Sequence, residues 1–169
     1  ALRSEALVID SAVFIDDGSG YREENKSAAR LDLATTPGAF SVKFKLPPGG
    51  SSRRKLRWDP CEGLLCRCRI KKVETDGMYR GMGMNNSWET DDGWDEFITG
   101  DPHYEMKGDW TEASFIRISG EFMLLGVDAV IHRFKAELDE ARRECDAQRQ
   151  AMLQLEASRC WRWIRLFRG

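Results

Sequence analysis

Short segments of alternating apolar and polar residues, separated by turn sequences, constrain the fold of this chain more than any other feature. In residues 39–46, large apolar side chains occupy every second position: Phe40, Val42, Phe44 and Leu46. A period of two places these side chains on one face of a strand. Similar segments recur at intervals of roughly 10 to 15 residues up to Leu125. We therefore predict a mainly β fold, an antiparallel, jelly-roll-like β-sandwich over residues 6–126.

After Gly126 the apolar period changes to alternating spacings of four and three residues. The residues of this seam are Val127, Ile131, Phe134, Leu138, Ala141, Cys145, Gln148, Met152 and Leu155. Such a heptad pattern is typical of a coiled coil, and no Gly or Pro interrupts it. We predict a coiled-coil helix over residues 127–157 that self-associates. The alternative is a lone helix that packs along the sandwich.

The last twelve residues combine basic and aromatic side chains without a single acid. The residues that we expect to make contacts in this tail, 158–169, are Trp161, Arg162, Arg165 and Arg168. A basic, tryptophan-bearing amphipathic segment can lie on an anionic membrane surface. It can equally be the start of a linker to a further domain, with its apolar residues packed against that domain.

Composition bounds the class of protein. The chain has 169 residues, a hydrophobic content of 41% and a formal net charge of -2, which fit one globular domain with an appendage. A slightly acidic chain is a poor general binder of nucleic acid.

Five cysteines without a regular framework fit a reducing compartment. No secretory signal or long apolar run is present, so we expect a cytoplasmic location, at the inner face of the membrane if the tail binds lipid.

The charges are unevenly distributed along the sequence. Residues 41–72 contain ten Lys or Arg and two acids, whereas residues 85–112 contain nine acids and one Lys. One interpretation is that two parts of the same domain complement each other electrostatically. The other is a polarised surface that attracts an anionic partner.

No motif in the sequence indicates catalysis or a cofactor. Cys61, Cys66 and Cys68 lack the paired spacing of a zinc site, and we interpret them as small buried residues. Asp92 and Glu96 form a carboxylate pair of the kind that glycoside hydrolases use, but any acidic loop offers such pairs. The chain has no nucleophile elbow, phosphate-binding glycine loop or HExxH motif. We predict a non-catalytic region without metal or cofactor.

The acidic segment also carries most of the tryptophans. Candidate ligand-binding rings and carboxylates are Trp88, Trp94, Tyr104, Trp110, Asp92 and Asp95. Aromatic rings with a few placed polar groups suit a small-ligand pocket, here for a sugar. The alternative is that these rings anchor long loops to the sandwich.

Two stretches resemble a known module. The segments "VFIDDGSGYREENK" and "FSVKFKLPPGGSSRRKLRWDPCEGLLCRCRIKKVE", with the later "FITGDPHYEM" and "ASRCWRWIRLFR", are similar to an accessory β-sandwich and coiled coil of large bacterial glycosyltransferases and methyltransferase-glycosyltransferase fusions of cell-surface polysaccharide synthesis. The matching positions include Asp16, Gly18, Gly20, Tyr21, Leu56, Arg57, Trp58, Asp59, Pro60, Asp101 and Pro102.

The resemblance implies a setting for the chain. It implies an accessory β-sandwich beside a separate catalytic domain, and our leading hypothesis is that this sandwich, like a carbohydrate-binding module, holds a growing polysaccharide or docks another subunit. The rival hypothesis is a purely structural interaction module that binds no sugar. Within "LRWDP", the strand period places Leu56 and Trp58 towards the core and lets Arg57 pair with Asp59 on the other face. This favours a structural role for the motif over a ligand-binding one.

Overall fold

The fold was described from a computed structural model, which covers residues 7–33, 37–48 and 54–166 apart from the side chains of Glu89 and of residues 158–166. Within these residues the strands are β1 (Leu7–Asp16), β2 (Lys26–Leu33), β3 (Gly38–Lys45), β4 (Lys55–Asp59), β5 (Cys66–Thr75), β6 (Met78–Asn85), β7 (Trp88–Glu89), β8 (Asp95–Phe97), β9 (Tyr104–Asp109) and β10 (Phe115–Leu124). A short 3-10 helix, Glu23–Asn25, precedes β2, and one α-helix, α1 (Val127–Leu166), follows β10.

The strands form two antiparallel sheets of five strands each. The first sheet has the order β2-β1-β4-β9-β6, and the second has the order β3-β10-β5-β8-β7. From β2 onwards nearly every connection passes from one sheet to the other, which is the jelly-roll manner of building a sandwich. The predicted fold class, a mainly β sandwich followed by a long helix, is confirmed.

The core lies between the sheets and follows from the strand period. On β3 and β10 the large apolar side chains alternate with polar ones and are buried: Phe40, Val42, Phe44, Ile116, Ile118 and Phe122. The first sheet contributes Ile9, Val13, Leu31, Leu56, Trp58 and Met106 to the same cluster. Burial of these side chains is the main stabilising contribution to the sandwich.

A bulge in the second sheet changes the direction of side chains on β5. The pairing of β5 with β10 shifts between Ser119 and Gly120, so that Lys71 is the extra residue. A Cβ on Gly120 would lie 2.2 Å from the carbonyl oxygen of Arg69, and only glycine allows this approach. The bulge leaves Lys71 and Lys72 exposed side by side.

Helix α1 has 40 residues and a length of about 60 Å, so it continues beyond the predicted end at residue 157. The chain divides into two units, residues 1–125 and residues 126–169. The side chains of Trp161, Arg162 and Arg165, and all of Arg168, lie outside the described residues. Their predicted membrane or interdomain contact therefore stays a prediction.

Candidate functional site

Two of the four rings that were candidates for a sugar site lie in the core. Tyr104 and Trp110 are each 1% exposed. The ring of Tyr104 stacks on Trp58 with the centroids 5.3 Å apart, and the ring of Trp110 lies 6.2 Å from that of Tyr79. Neither ring has a face open to solvent, so neither is available to a ligand.

The third ring, Trp94, packs beneath two arginines. The guanidinium carbons of Arg69 and Arg67 lie 4.8 and 5.5 Å from its centroid, within cation–π distance. Trp94 is 9% exposed, whereas Trp88 on β7 is 39% exposed. These contacts favour the interpretation that most rings of the acidic segment anchor loops to the sandwich.

The candidate carboxylates of this segment have partners within the chain. Asp92 accepts two hydrogen bonds from Arg67 Nη2, at 2.8 and 2.9 Å. A hydrogen bond from the Thr90 hydroxyl is the main cause that holds the pKa of Asp92 below its usual value. Asp95 Oδ2 accepts from the Tyr104 hydroxyl at 2.8 Å. Both carboxylates therefore serve the packing of the loops.

A different group of residues converges on the outer face of the first sheet, around Arg57. Its guanidinium donates to both oxygens of Asp59, at 2.9 Å from Nε and 2.6 Å from Nη2. Nη2 also donates to Asp101 Oδ1 at 3.1 Å. Bidentate pairing of this kind fixes the plane of the guanidinium.

The opposite face of β4 anchors this strand to the core. Leu56 and Trp58 are buried, as the strand period predicted. The indole of Trp58 donates to Ser11 Oγ at 2.9 Å, and the Ser11 hydroxyl donates to the backbone oxygen of Asp59 at 2.8 Å. The core side of "LRWDP" therefore holds Arg57 and Asp59 in position from below.

The turn after β1 brings an aromatic ring to the same place. Asp16 Oδ1 accepts from the backbone N–H of Gly18 at 2.8 Å and of Gly20 at 2.7 Å. Both glycines have positive φ, 110° and 89°, which other residues rarely adopt. The turn delivers Tyr21, whose ring centroid lies 5.6 Å from the guanidinium carbon of Arg57.

Three separate stretches of sequence thus meet at Arg57. They are the D-x-G-x-G-aromatic turn ending at Tyr21, the "LRWDP" strand, and the "GDP" turn that contains Asp101. The sequence placed each as an isolated turn or strand end. The strand order of the first sheet, which puts β4 between β1 and β9, brings them together.

A cavity of about 130 Å³ opens beside this cluster, between β1, β2 and β4. Its walls include Phe14 and the small side chains of Ala12 and Ala28. The Phe14 ring centroid lies 5.2 Å from the guanidinium carbon of Arg57. The cavity is therefore lined by part of an aromatic ring, by small side chains and by a guanidinium held in an ion pair.

The charge of the cavity is predominantly negative. Two cations, Lys26 and Arg57, line it together with five acids: Asp10, Glu23, Asp59, Glu62 and Asp101. Lys26 forms an ion pair with Glu23, and Arg57 forms ion pairs with Asp59 and Asp101. An excess of carboxylates suits a ligand with many hydroxyl or amino donors and disfavours an anionic one.

The environment of the cluster shifts three pKa values. Burial raises the pKa of Asp59, and the hydrogen bonds from Arg57 oppose this rise without cancelling it. The pKa of Arg57 is raised because it donates to Asp59. Burial, reinforced by the carboxylates of Glu105 and Asp16, raises the pKa of Tyr21 to about 12, so its hydroxyl remains a donor.

The cysteines lie beneath the loop that follows "LRWDP". Cys61, Cys66 and Cys68 are buried, with the Sγ atoms of Cys61 and Cys66 3.5 Å apart. The hydrogen bond with Cys61, together with burial, raises the pKa of the Cys66 thiol, and burial raises that of Cys68. Such thiols are unreactive. Among the described residues, no group of three or more side chains is arranged to hold a metal ion.

No protein-family model, curated protein or solved structure matches this chain. Within the part of the chain that the structure describes, no helix has the length and apolar content that crossing a bilayer requires.

Proposed function

We propose that this chain is a non-catalytic, glycan-holding region of a bacterial glycosyltransferase of cell-surface polysaccharide synthesis. The convergence of three resembling stretches on Arg57, beside a cavity with an aromatic wall, carries the proposal. The jelly-roll sandwich and the resemblance of the sequence support the setting. The glycosyl transfer itself belongs to another domain of the parent enzyme, at the cytoplasmic face of the membrane.

The cavity has the chemistry to hold a sugar unit. At about 130 Å³ the cavity is smaller than a typical small-ligand pocket and takes one edge of a sugar unit, whose hydroxyl groups can donate to the carboxylates of Asp59 and Asp101. Phe14, which is 9% exposed, adds a small apolar area to the wall of the cavity, and Tyr21 packs beside the Arg57 guanidinium outside that wall. Because carboxylates predominate, the bound unit is a neutral or amino sugar.

Holding the glycan assists the active site of the other domain because it keeps the acceptor nearby. A tethered binding site raises the effective concentration of the acceptor near the catalytic domain, to the millimolar range for a short linker, without making or breaking a bond. Weak affinity for a single sugar unit is sufficient for this role, since the growing chain must also be released.

Binding of neutral oligosaccharides to the whole chain tests the proposal. We expect members of a panel of gluco-, galacto-, manno- and rhamno-oligosaccharides to bind, and Asp101→Asn and Arg57→Gln to weaken binding about tenfold or more. Asp101 is exposed, so its variant should fold normally. Arg80→Gln, an exposed arginine of β6, is the matched control. Equal effects of Arg57→Gln and Arg80→Gln, or binding of no oligosaccharide or amino-sugar polymer, would contradict the proposal.

A second function, self-association, is supported by the helix. The apolar residues of the seam are 50 to 67% exposed in the single chain: Val127, Ile131, Phe134, Leu138, Met152 and Leu155. A row of this length and spacing is buried when two such helices pair. Sedimentation equilibrium should give a dimer that Leu138→Asp converts to a monomer, while Glu140→Gln leaves it dimeric.

Cys145 offers a second test of pairing, because it lies in the seam, is exposed and stands near the middle of α1. In an aligned pair of either orientation the two copies of Cys145 lie close together, and a mild oxidant should cross-link them. Absence of a cross-link would contradict pairing of the helices along their full length.

A further inference from the structure

The outer face of the second sheet carries an excess of positive charge. Four cations lie on β5, Arg67, Arg69, Lys71 and Lys72, and three more lie on the neighbouring strands, Lys43, Lys45 and Arg117. The acids on the outer face of these strands and of β8 are Glu74, Glu96 and Glu121. Among the described side chains, seven cations on these strands therefore face three strand carboxylates and a fourth, Asp92, from the loop before β8.

The outer face of the first sheet is balanced by comparison. Its outward cations are Lys26, Arg30, Lys55, Arg57, Arg80 and Lys107. Its outward acids are Asp10, Asp16, Asp32, Asp59, Glu105 and Asp109. A solvated face usually mixes both signs in this way, so the excess on the second sheet needs another explanation.

Complementarity between the basic and the acidic segments accounts for only part of that excess. Arg67 pairs with Asp92 and Glu96 across the two segments. The other ion pairs of the face join β5 to β10, or residues within β5. Glu121 is shared by Arg69 and Lys71, and Glu74 is shared by Lys72 and Arg117. Each of these two carboxylates is outnumbered by its cations.

The edge strand has an explanation that does not require a ligand. Lys43 lies with Nζ 4.1 Å from the centroid of Phe115, and Lys45 is exposed at the end of β3. Lysines on an edge strand discourage pairing with other chains. This reason does not apply to β5, which lies at the centre of the sheet.

On β5 the cations form a line. Arg67 is only 19% exposed and is paired with Asp92 and Glu96, so the accessible line runs over about 10 Å from Arg69 to Lys72, where the bulge at Lys71 keeps Lys71 and Lys72 exposed. Cations arranged along a line on an open face are complementary to the repeated negative charges of a linear ligand.

We propose that this face binds a polysaccharide that carries carboxylate or phosphate groups, with the polymer along β5. The inference rests on the proposed function, which makes a glycan the natural polyanion for this chain, and it adds a second surface of opposite charge to the Arg57 cavity. The cavity holds a neutral or amino sugar unit, and the second sheet holds the anionic groups.

Binding of polygalacturonate, a carboxylate polymer, to the full chain tests this inference. We expect binding that weakens between about 50 and about 300 mM salt, as for any ligand held by screened charges. The double variant Lys71→Gln/Lys72→Gln should weaken it about tenfold and reduce its dependence on salt. Lys55→Gln/Lys107→Gln removes the same charge from the first sheet and should change it less than about twofold. Lys45→Gln measures separately how much the edge strand β3 contributes to polygalacturonate binding.

Equal losses of polygalacturonate affinity in Lys71→Gln/Lys72→Gln and Lys55→Gln/Lys107→Gln would overturn the inference. The net charge of the chain, and not the position of the lysines, would then account for binding. Failure of both polygalacturonate and a polyglycerol-phosphate polymer to bind would overturn it too. Tighter binding of phosphatidylglycerol vesicles or duplex DNA than of either polymer would also overturn it, by assigning the face to a membrane or a nucleic acid. Neutral oligosaccharide binding that depends on Arg57 would survive each of these results, so the two proposals fail separately.

Discussion

The stretch around Arg57 and the acidic, tryptophan-rich stretch of residues 88–110 differ in how far their sequences predicted the surroundings of their side chains. The acidic stretch has the rings and carboxylates of a sugar site, but Tyr104 and Trp110 are in the core and Asp92 is paired with Arg67. The "LRWDP" strand has the pattern of a structural element and packs as one, and its outer face also lines a cavity. An aromatic residue therefore indicates a ligand site only when the fold leaves its face open.

The same comparison shows how one strand can serve both purposes. Leu56 and Trp58 fix the position of β4 through burial, and Arg57 and Asp59 then have a rigid base on the outer face. A binding group on a strand held in this way is positioned more accurately than one on a loop. Substitutions in the two stretches should therefore change the free energy of unfolding and the affinity for oligosaccharide to different extents.

The largest effect on stability is expected for Trp110→Ala. The ring is fully buried, and its removal leaves a large cavity that should lower the free energy of unfolding by about 3–5 kcal/mol. Oligosaccharide binding by the folded fraction should not change. Chemical denaturation and calorimetric titration measure the two quantities. Trp88→Ala, at an exposed ring, is the control with a smaller cost. If Trp110→Ala lost oligosaccharide binding without losing stability, the acidic stretch would be part of the binding site.

The next largest effect is expected for Arg57→Ala. It leaves the largely buried Asp59 without its bidentate partner, and we expect a loss of about 2 kcal/mol in unfolding free energy, less than for a fully buried pair because Arg57 is partly exposed. Oligosaccharide binding should be lost as well. The second change Asp59→Asn should restore part of the stability but not the binding. Recovery of both would mean that Arg57 only neutralises Asp59.

A smaller effect is expected for Asp16→Ala, which removes the acceptor of two backbone N–H groups in the turn before Tyr21. The stability cost should be about 1 kcal/mol, since the turn is exposed. Oligosaccharide affinity should fall because Tyr21 is no longer held beside Arg57. Asp17→Ala removes bonds to Ser19 instead and should leave affinity unchanged. Equal affinity of the two variants would exclude Tyr21 from the site.

The smallest expected effect is a difference between the two stretches in how the free energy of unfolding depends on pH. Asp59 has a raised pKa in the folded chain, so its contribution to stability is fully present below the unfolded value near 3.8 and is lost as pH rises through the folded value. Asp92 has a lowered pKa, so its contribution is present above that value and is lost as pH falls through the folded one. Between about pH 3 and 6, Asp59→Asn should gain stability relative to the parent as pH rises, and Asp92→Asn should lose it. Unfolding free energies that move in the same direction would contradict these environments.

Local pattern was sufficient to predict much of the fold. Phe40, Val42 and Phe44 face the core, and helix α1 begins at Val127, because periods of two and of three to four residues are read directly from the sequence. The end of the helix was not predictable, since no Gly or Pro follows residue 157 before Gly169.

The site was not predictable for a different reason. Asp16, Arg57 and Asp101 are brought together by the order β2-β1-β4-β9, which depends on pairing between distant strands. The burial of Tyr104 likewise depends on its contact with Trp58 on a neighbouring strand. The signal that the sequence did offer was the occurrence of D-x-G-x-G-aromatic, "LRWDP" and "GDP" in one chain.

Mapping the bound sugar by NMR tests the central claim most directly. Titration of the isotope-labelled chain with the tightest-binding neutral oligosaccharide should shift amide signals on β1, β2 and β4, centred on Ala12, Ala28 and Arg57, and leave those of residues 88–97 unchanged. Shifts centred on Trp88 and Asp92, with β4 unaffected, would contradict the account and place the glycan on the acidic stretch.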